Sequence, residues 1–183
     1  MKRLLVLRHA KSDRSDDTLR DHDRSLAPRG EVDAPRMGIA LAALDTVPDS
    51  ILTSNAVRAR ETARLVAAAM GYDGVIVEEP VLYAASVDAL LNALRDADDA
   101  ATLLLVGHNP GLEELIGLLT VGIEAEPILR LPTAGLACLA LDIAEWSRIH
   151  AQCGLLHWFL TPRIVSPLLH AAHDLNHEAA GTD

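Results

Sequence analysis

Three short segments put groups suited to holding and attacking a phosphoryl group directly after aliphatic runs. RLLVL (residues 3–7) ends in Arg8 and His9, with Lys11 and Ser12 just beyond. TLLLVG (102–107) ends in His108 and Asn109, and SILTS (50–54) leads into NAVRARETARLV, which carries Arg58 and Arg60. A neutral imidazole nitrogen can attack phosphorus and become a phosphohistidine intermediate. The non-bridging oxygens carry the charge, so the reaction needs cations and donors around them. Arginine supplies a planar fork of donors whose charge does not titrate away. No metal is required when protein cations do this work, and no cofactor is implied.

Each residue also has a plainer reading. His9 is acceptable as a strand-end histidine with a satisfied hydrogen bond, and GHNPG also reads as turn punctuation before a helix. Arg58 and Arg60 stand two apart on a helix and face different ways, so at least one belongs to solvent. Lys11 is either a rim charge or simply exposed. Only the combination carries the chemistry, and it requires elements that bring the three segments to one rim.

Such elements are legible in the hydrophobic pattern. Residues 3–7, DSILTS, GVIVEE, TLLLVG, GLACLALDI and GLLHWFL read as strands. Residues 11–27 are polar, with five aspartates (Asp13, Asp16, Asp17, Asp21 and Asp23), and read as a loop. A helix starts near Pro28 or Gly30, with Pro35 in its first turn or delaying it. Residues 55–70 form an amphipathic helix with Ser54 or Asn55 suited to cap it and Gly71 to close it. Residues 86–97 form another, capped by Ser86, and LEELIGLLTVG a further one. A turn lies around Glu145 to Gln152. Strands alternating with helices predict an α/β fold: a single-domain three-layer α/β/α sandwich with a mostly parallel sheet. Its ligands bind outside the carboxyl ends of the strands. The domain is expected over 1–165, with a C-terminal tail over 166–183 that is partly helical or disordered.

Composition limits the partners. The 183 residues favour one domain, and 50% hydrophobic with 3% aromatic content suits a helix-rich α/β protein. A net charge of −10 argues against nucleic acid, while a small anionic substrate needs a local cationic pocket. No signal-peptide core or transmembrane run is present, so a cytoplasmic location and no membrane partner are expected. Cys138 and Cys153 lie in apolar surroundings and read as small core residues. His170, His173 and His177 could share a helical face, but the segment is terminal and polar, so no metal site is assigned. There is no G-x-S-x-G elbow and no G-x-x-x-x-G-K-[ST] loop.

LRHAKS, TSNAVRARETA and LLVGHNPGLEEL, in that order, resemble the histidine phosphatase superfamily, whose fold is phosphoglycerate mutase-like. RHAKSD and DHDRSLAPRGE resemble most its small bacterial phosphohistidine phosphatase branch, over residues 3 to about 163. The resemblance implies that His9 is the nucleophile and that Arg8, Arg58 and His108 complete a phosphate pocket, with Arg58 rather than Arg60 matching the family's arginine. Lys11, Ser12, Arg24 and Asn109 are candidates for substrate binding; Arg29 reads better as a partner for neighbouring acids. Two departures stand out. Ala10 occupies the position where the common motif has glycine, and an alanine there would be strained at positive φ. Many relatives also place a glutamate after the third strand as proton donor; the matching stretch here is EEPVLYAASVD, with Ala84 nearest that position and Glu78, Glu79 and Asp88 as loop or helix-surface charges.

The missing acid is a substrate argument. An alkyl ester expels an alkoxide whose conjugate acid has a pKa of about 16, so a proton donor matters greatly. Phosphohistidine expels an imidazole whose other nitrogen can already be protonated near neutral pH, given a pKa of about 6.5. The sequence therefore predicts a phosphatase acting through His9 on a phosphohistidine-containing protein, in a signalling context, or on a small phosphorylated substrate. Alternatives are a general phosphomonoesterase with Glu79 or Asp88 as acid, and a catalytically weak phosphohistidine-binding regulatory module. A mutase is disfavoured by the short chain.

Overall fold

The computed structural model describes residues 1–122, 129–169 and 171. Strands β1 (Lys2–Arg8), β2 (Ser50–Ser54), β3 (Ile76–Glu79), β4 (Thr102–Gly107), β5 (Leu136–Leu141) and β6 (Gly154–Leu160) form one six-stranded sheet in the order β3-β2-β4-β1-β5-β6. The β3, β2, β4 and β1 pairings are parallel, whereas β5 runs antiparallel to both β1 and β6. Helices α1 (Pro28–Ala43), α2 (Val57–Met70), α3 (Val87–Arg95) and α4 (Gly111–Thr120) complete the layers.

Alternation along the strands explains the aliphatic runs. Leu4 and Val6 of β1, with Leu103 and Leu105 of β4, join a core with Leu90, Leu94, Leu112 and Ile116 of α3 and α4. Leu5, Leu7, Leu104 and Val106 point the other way, into a core with Met37 and Leu41 of α1 and Ala63 and Val66 of α2. A strand covered on both faces has no polar side to show, so it reads as continuous hydrophobic sequence. The mixed α/β, three-layer fold is therefore as expected. Cys138 and Cys153 are free and buried, in opposite cores.

Local signals behave unevenly. Gly71 closes α2 in the left-handed conformation (φ 74°), and Ser86 Oγ accepts from the Ala89 N–H at 3.3 Å to cap α3. Neither Ser54 nor Asn55 caps α2: its N-cap is Ala56, with no side-chain bond. Both side chains are used elsewhere, as described below. Pro35 sits inside α1 rather than at its start.

The 11–27 segment is more ordered than a plain loop. Its base is closed by Ala27 N–H to Lys11 O (2.8 Å), a backbone bridge between Ser12 and Leu26, and Asp13 N–H to Ser25 O (2.9 Å). Gly30 makes this approach possible, because a Cβ there would lie 2.2 Å from Lys11 O. Glu61 on α2 holds the far arm by accepting the Leu26 N–H at 2.7 Å. Between these ties the chain carries a short 3-10 turn, Asp21–Asp23. Helical backbone spans 162–169; most of the expected tail, including His170, His173 and His177, lies outside the described residues. No helix among the described residues is long and apolar enough to cross a membrane.

Candidate active site

Adjacent strands β2, β4 and β1 end at the same edge and deliver Ser54, His108, and Arg8 with His9. The strand ends are pinned by backbone bonds: His9 N–H to Gly107 O at 3.1 Å, and Ala134 N–H to Arg8 O at 3.1 Å. Ala10 is fully buried, outside the left-handed region, and donates its N–H to Thr62 Oγ1 at 2.9 Å. The methyl group in place of glycine is therefore accommodated without backbone strain.

The two imidazole rings lie with centroids 5.0 Å apart, and Arg58 reaches both. His9 Nδ1 is 2.7 Å from Ala10 O. A carbonyl can only accept, so Nδ1 carries the proton and Nε2 holds a lone pair. Arg58 Nε donates to that Nε2 at 3.2 Å, and Arg58 Nη2 donates to His108 Nδ1 at 3.4 Å. His108 Nε2 then bears its proton and donates to Ser54 Oγ at 2.9 Å. Arg8 completes the cationic edge, with Nη1 donating to Leu131 O at 2.9 Å.

Burial decides the charge on both rings. His9 and His108 are only 8% and 9% exposed. Burial pushes His9 down to about 4, with Arg58 and Arg8 adding to the effect and the Ala10 carbonyl opposing it. Burial, then His9 and Arg58, push His108 down to about 3. At neutral pH both are uncharged, and His9 presents an unprotonated Nε2, the state a nucleophile needs.

These depressed values predict acid sensitivity. The unfolded chain, with histidines near 6.5, binds more protons than the native one below that pH, so stability falls as the pH drops. The loss runs from about 6.5 to about 4 for His9 and to about 3 for His108. Each ring contributes a slope of up to about 1.4 kcal/mol per pH unit. Urea unfolding of the wild type and of a His9→Gln/His108→Gln variant checks this, the variant showing the shallower pH dependence below pH 6.5. Comparing the two removes the contribution of carboxylates, which also weaken the fold in acid.

The remaining expected residues divide. Arg60 faces away and pairs with Glu78 at 3.5 Å, as does Arg64 at 3.2 Å. Arg24 approaches the site through Asp21, at 3.6 Å. Asn109 Nδ2 donates to Glu113 Oε1 (2.8 Å) and Leu131 O (2.9 Å), bracing the segment that holds Arg8. Lys11 is exposed and Ser12 is drawn into the bridge with Leu26; among the described residues, neither side chain bonds to either histidine or arginine. Arg29 pairs with Asp33 at 3.2 Å. Glu78 and Asp88 are exposed, and neither they nor Glu79 bonds to the site.

Two residues not singled out from sequence complete the mouth. Asp21 covers the outer edge of Arg58: its carbonyl accepts from Nη1, and its Oδ2 lies 2.8 Å from Nη2. Tyr83, beside Ala84, donates its hydroxyl to the same Oδ2 at 3.0 Å and stands edge-on to His108 at 5.5 Å. His22 meets Tyr83 at 4.9 Å and lies 3.0 Å from Asn55 Oδ1 through Nε2. Among the described residues, no group of three or more His, Cys, Asp or Glu could hold a metal ion.

A family model described as "Histidine phosphatase superfamily (branch 1)" matches residues 4–82. An uncharacterised protein of Mycobacterium tuberculosis is 36% identical over 164 residues, covering 86% of this chain and 100% of the relative. An uncharacterised chloroplastic protein of Arabidopsis thaliana is 33% identical over 171 residues, covering 87% and 75%. Among solved structures, one from Agrobacterium tumefaciens, named for the phosphohistidine phosphatase SixA, is 30% identical with a TM-score of 0.72, over 88% of this chain and 98% of that one.

Proposed function

The chain belongs to the histidine phosphatase superfamily, and on that premise we propose that it removes phosphate from phosphohistidine, with His9 as the covalent carrier. The observation that carries the reading is a nucleophile and cations without a proton donor: the one carboxylate bonded into the site, among the described residues, is Asp21, and it is held ionised. Burial pushes the Asp21 carboxyl up, but Tyr83, Arg58 and Arg24 together outweigh this and hold it below its ordinary value. An ionised carboxylate cannot protonate an alkoxide, and a substrate that leaves without taking a proton is the one this site suits.

The proton balance supports this choice. His9 Nε2 attacks phosphorus, the bond from phosphorus to the substrate nitrogen breaks, and the substrate imidazole departs neutral because its other nitrogen was already protonated. His9 keeps its Nδ1 proton on Ala10 O throughout. Water then attacks phosphorus, the bond to Nε2 breaks, and both water protons leave with the phosphate as its monoanion. Arg8 and Arg58 balance the oxygens' charge in both steps, and the neutral His108 holds Arg58 in place by accepting at Nδ1. Lys11 and Arg24 are entrance charges, and Asn109 and Ser12 act on the frame of the site.

The test compares phosphate release from a phosphohistidine peptide and from an alkyl phosphate. The reading expects His9-dependent release that is faster from phosphohistidine. Equal or faster release from the ester would overturn it and favour a general phosphomonoesterase; tight binding without release would favour a regulatory binding module.

A further inference from the structure

The ionised Asp21 at the mouth is unusual in a pocket built for anions. Arg58 spans the interval between it and the nucleophile: Nε points to His9 Nε2, while Nη2 points to Asp21 Oδ2. The carboxylate thus stands one guanidinium width from the attacking nitrogen, on the solvent side of Arg58. Its side chain is 53% exposed, so an incoming substrate can reach it. Tyr83 reaches it through its hydroxyl, and the His22 ring packs against the Tyr83 ring edge to face at 80°. A carboxylate beside aromatic faces suits a flat ring that carries an N–H.

We propose, resting on the phosphohistidine reading, that Asp21 determines specificity by accepting the free ring N–H of the substrate's phosphoimidazole, holding that ring protonated so that it departs as neutral histidine. An alkyl or aryl ester offers no such N–H and meets only the negative charge. The groups facing Asp21 are Arg58 of α2, Tyr83 ahead of α3, Arg24 of its own segment, and the rings of His9 and His108 at the ends of β1 and β4. The cations keep the carboxylate charged over the working range, so the titration seen in turnover is that of the substrate ring. An opposite charge at hydrogen-bond distance raises that ring's pKa by about one unit or more.

The experiment follows wild type, Asp21→Asn and Asp21→Glu on a phosphohistidine peptide and on p-nitrophenyl phosphate, whose leaving group needs no proton, between about pH 5.5 and 8.5. Asp21→Asn is expected to lower kcat/KM for the peptide about tenfold near pH 8 and to move the alkaline limb of its profile down by about one pH unit. Its kcat/KM for the aryl ester rises, because a competing negative charge has gone, and Asp21→Glu restores part of the peptide activity. Equal losses on both substrates would make Asp21 only a support for Arg58, and gains on both would make it only a plug; either overturns the proposal. Unchanged peptide turnover does the same while leaving the phosphohistidine reading intact. A wild type that hydrolyses esters but not the peptide overturns both.

Discussion

Alanine in place of His9 is expected to reduce phosphate release by at least about 10⁴-fold, whatever the phosphorylated substrate. The size follows from the role: among the described residues no other group is so placed, with an unprotonated nitrogen fixed by a carbonyl on its far side and a guanidinium on its near side. His108 offers the opposite ring nitrogen: its Nε2 proton goes to Ser54 Oγ, leaving only Nδ1, the nitrogen nearer its own backbone. The same variant keeps Arg8 and Arg58, so inorganic phosphate still binds, and isothermal titration separates lost chemistry from a lost pocket. Retention of turnover within tenfold of wild type would remove His9 from the mechanism.

Arg58→Lys is expected to lower kcat/KM by about 10²–10³-fold, or about 2.7–4 kcal/mol of transition-state stabilisation. Lysine keeps the charge but loses the fork that reaches His9, His108 and Asp21 from one plane. Removing the charge as well, in Arg58→Met, has a second consequence. Burial remains the main cause of the low histidine values, but Arg58 adds to it at both rings, so both move up. Asp21 loses one of the cations that keep it ionised and moves up too. Proton NMR titration of the imidazoles reads these shifts directly. Histidines that titrate unchanged in Arg58→Met would show that Arg58 is not electrically coupled to them.

What the sequence made legible, and what it hid, divides by distance along the chain. The aliphatic runs marked β1, β2 and β4 because both sheet faces are covered, and abrupt polarity at His9 and His108 marked their carboxyl ends. Helical spacing already separated Arg58 from Arg60, and the fold places one in the site and the other on Glu78. Gly71 closes α2 as its type suggests, but Ser54 and Asn55, good N-capping residues in isolation, here bond to His108 and His22. Tertiary demand outweighed local propensity. Asp21 was hidden among five aspartates, because nothing local distinguishes the one that folds back onto Arg58, 37 residues away. Lys11 and Ser12 follow His9 closely, but the backbone closure they make against Gly30 and Leu26 pairs distant segments and leaves no local pattern.

A phosphoryl group carried on His9 is the intermediate that the chemistry requires, and it can be caught directly. Enzyme mixed with a radiolabelled phosphohistidine peptide is quenched in alkali within one turnover, digested and mapped. Label is expected on the peptide containing His9, stable in alkali, lost in acid and absent from His9→Ala. Phosphate released at the wild-type rate with no label on the enzyme, or with label on His108 instead, would contradict it.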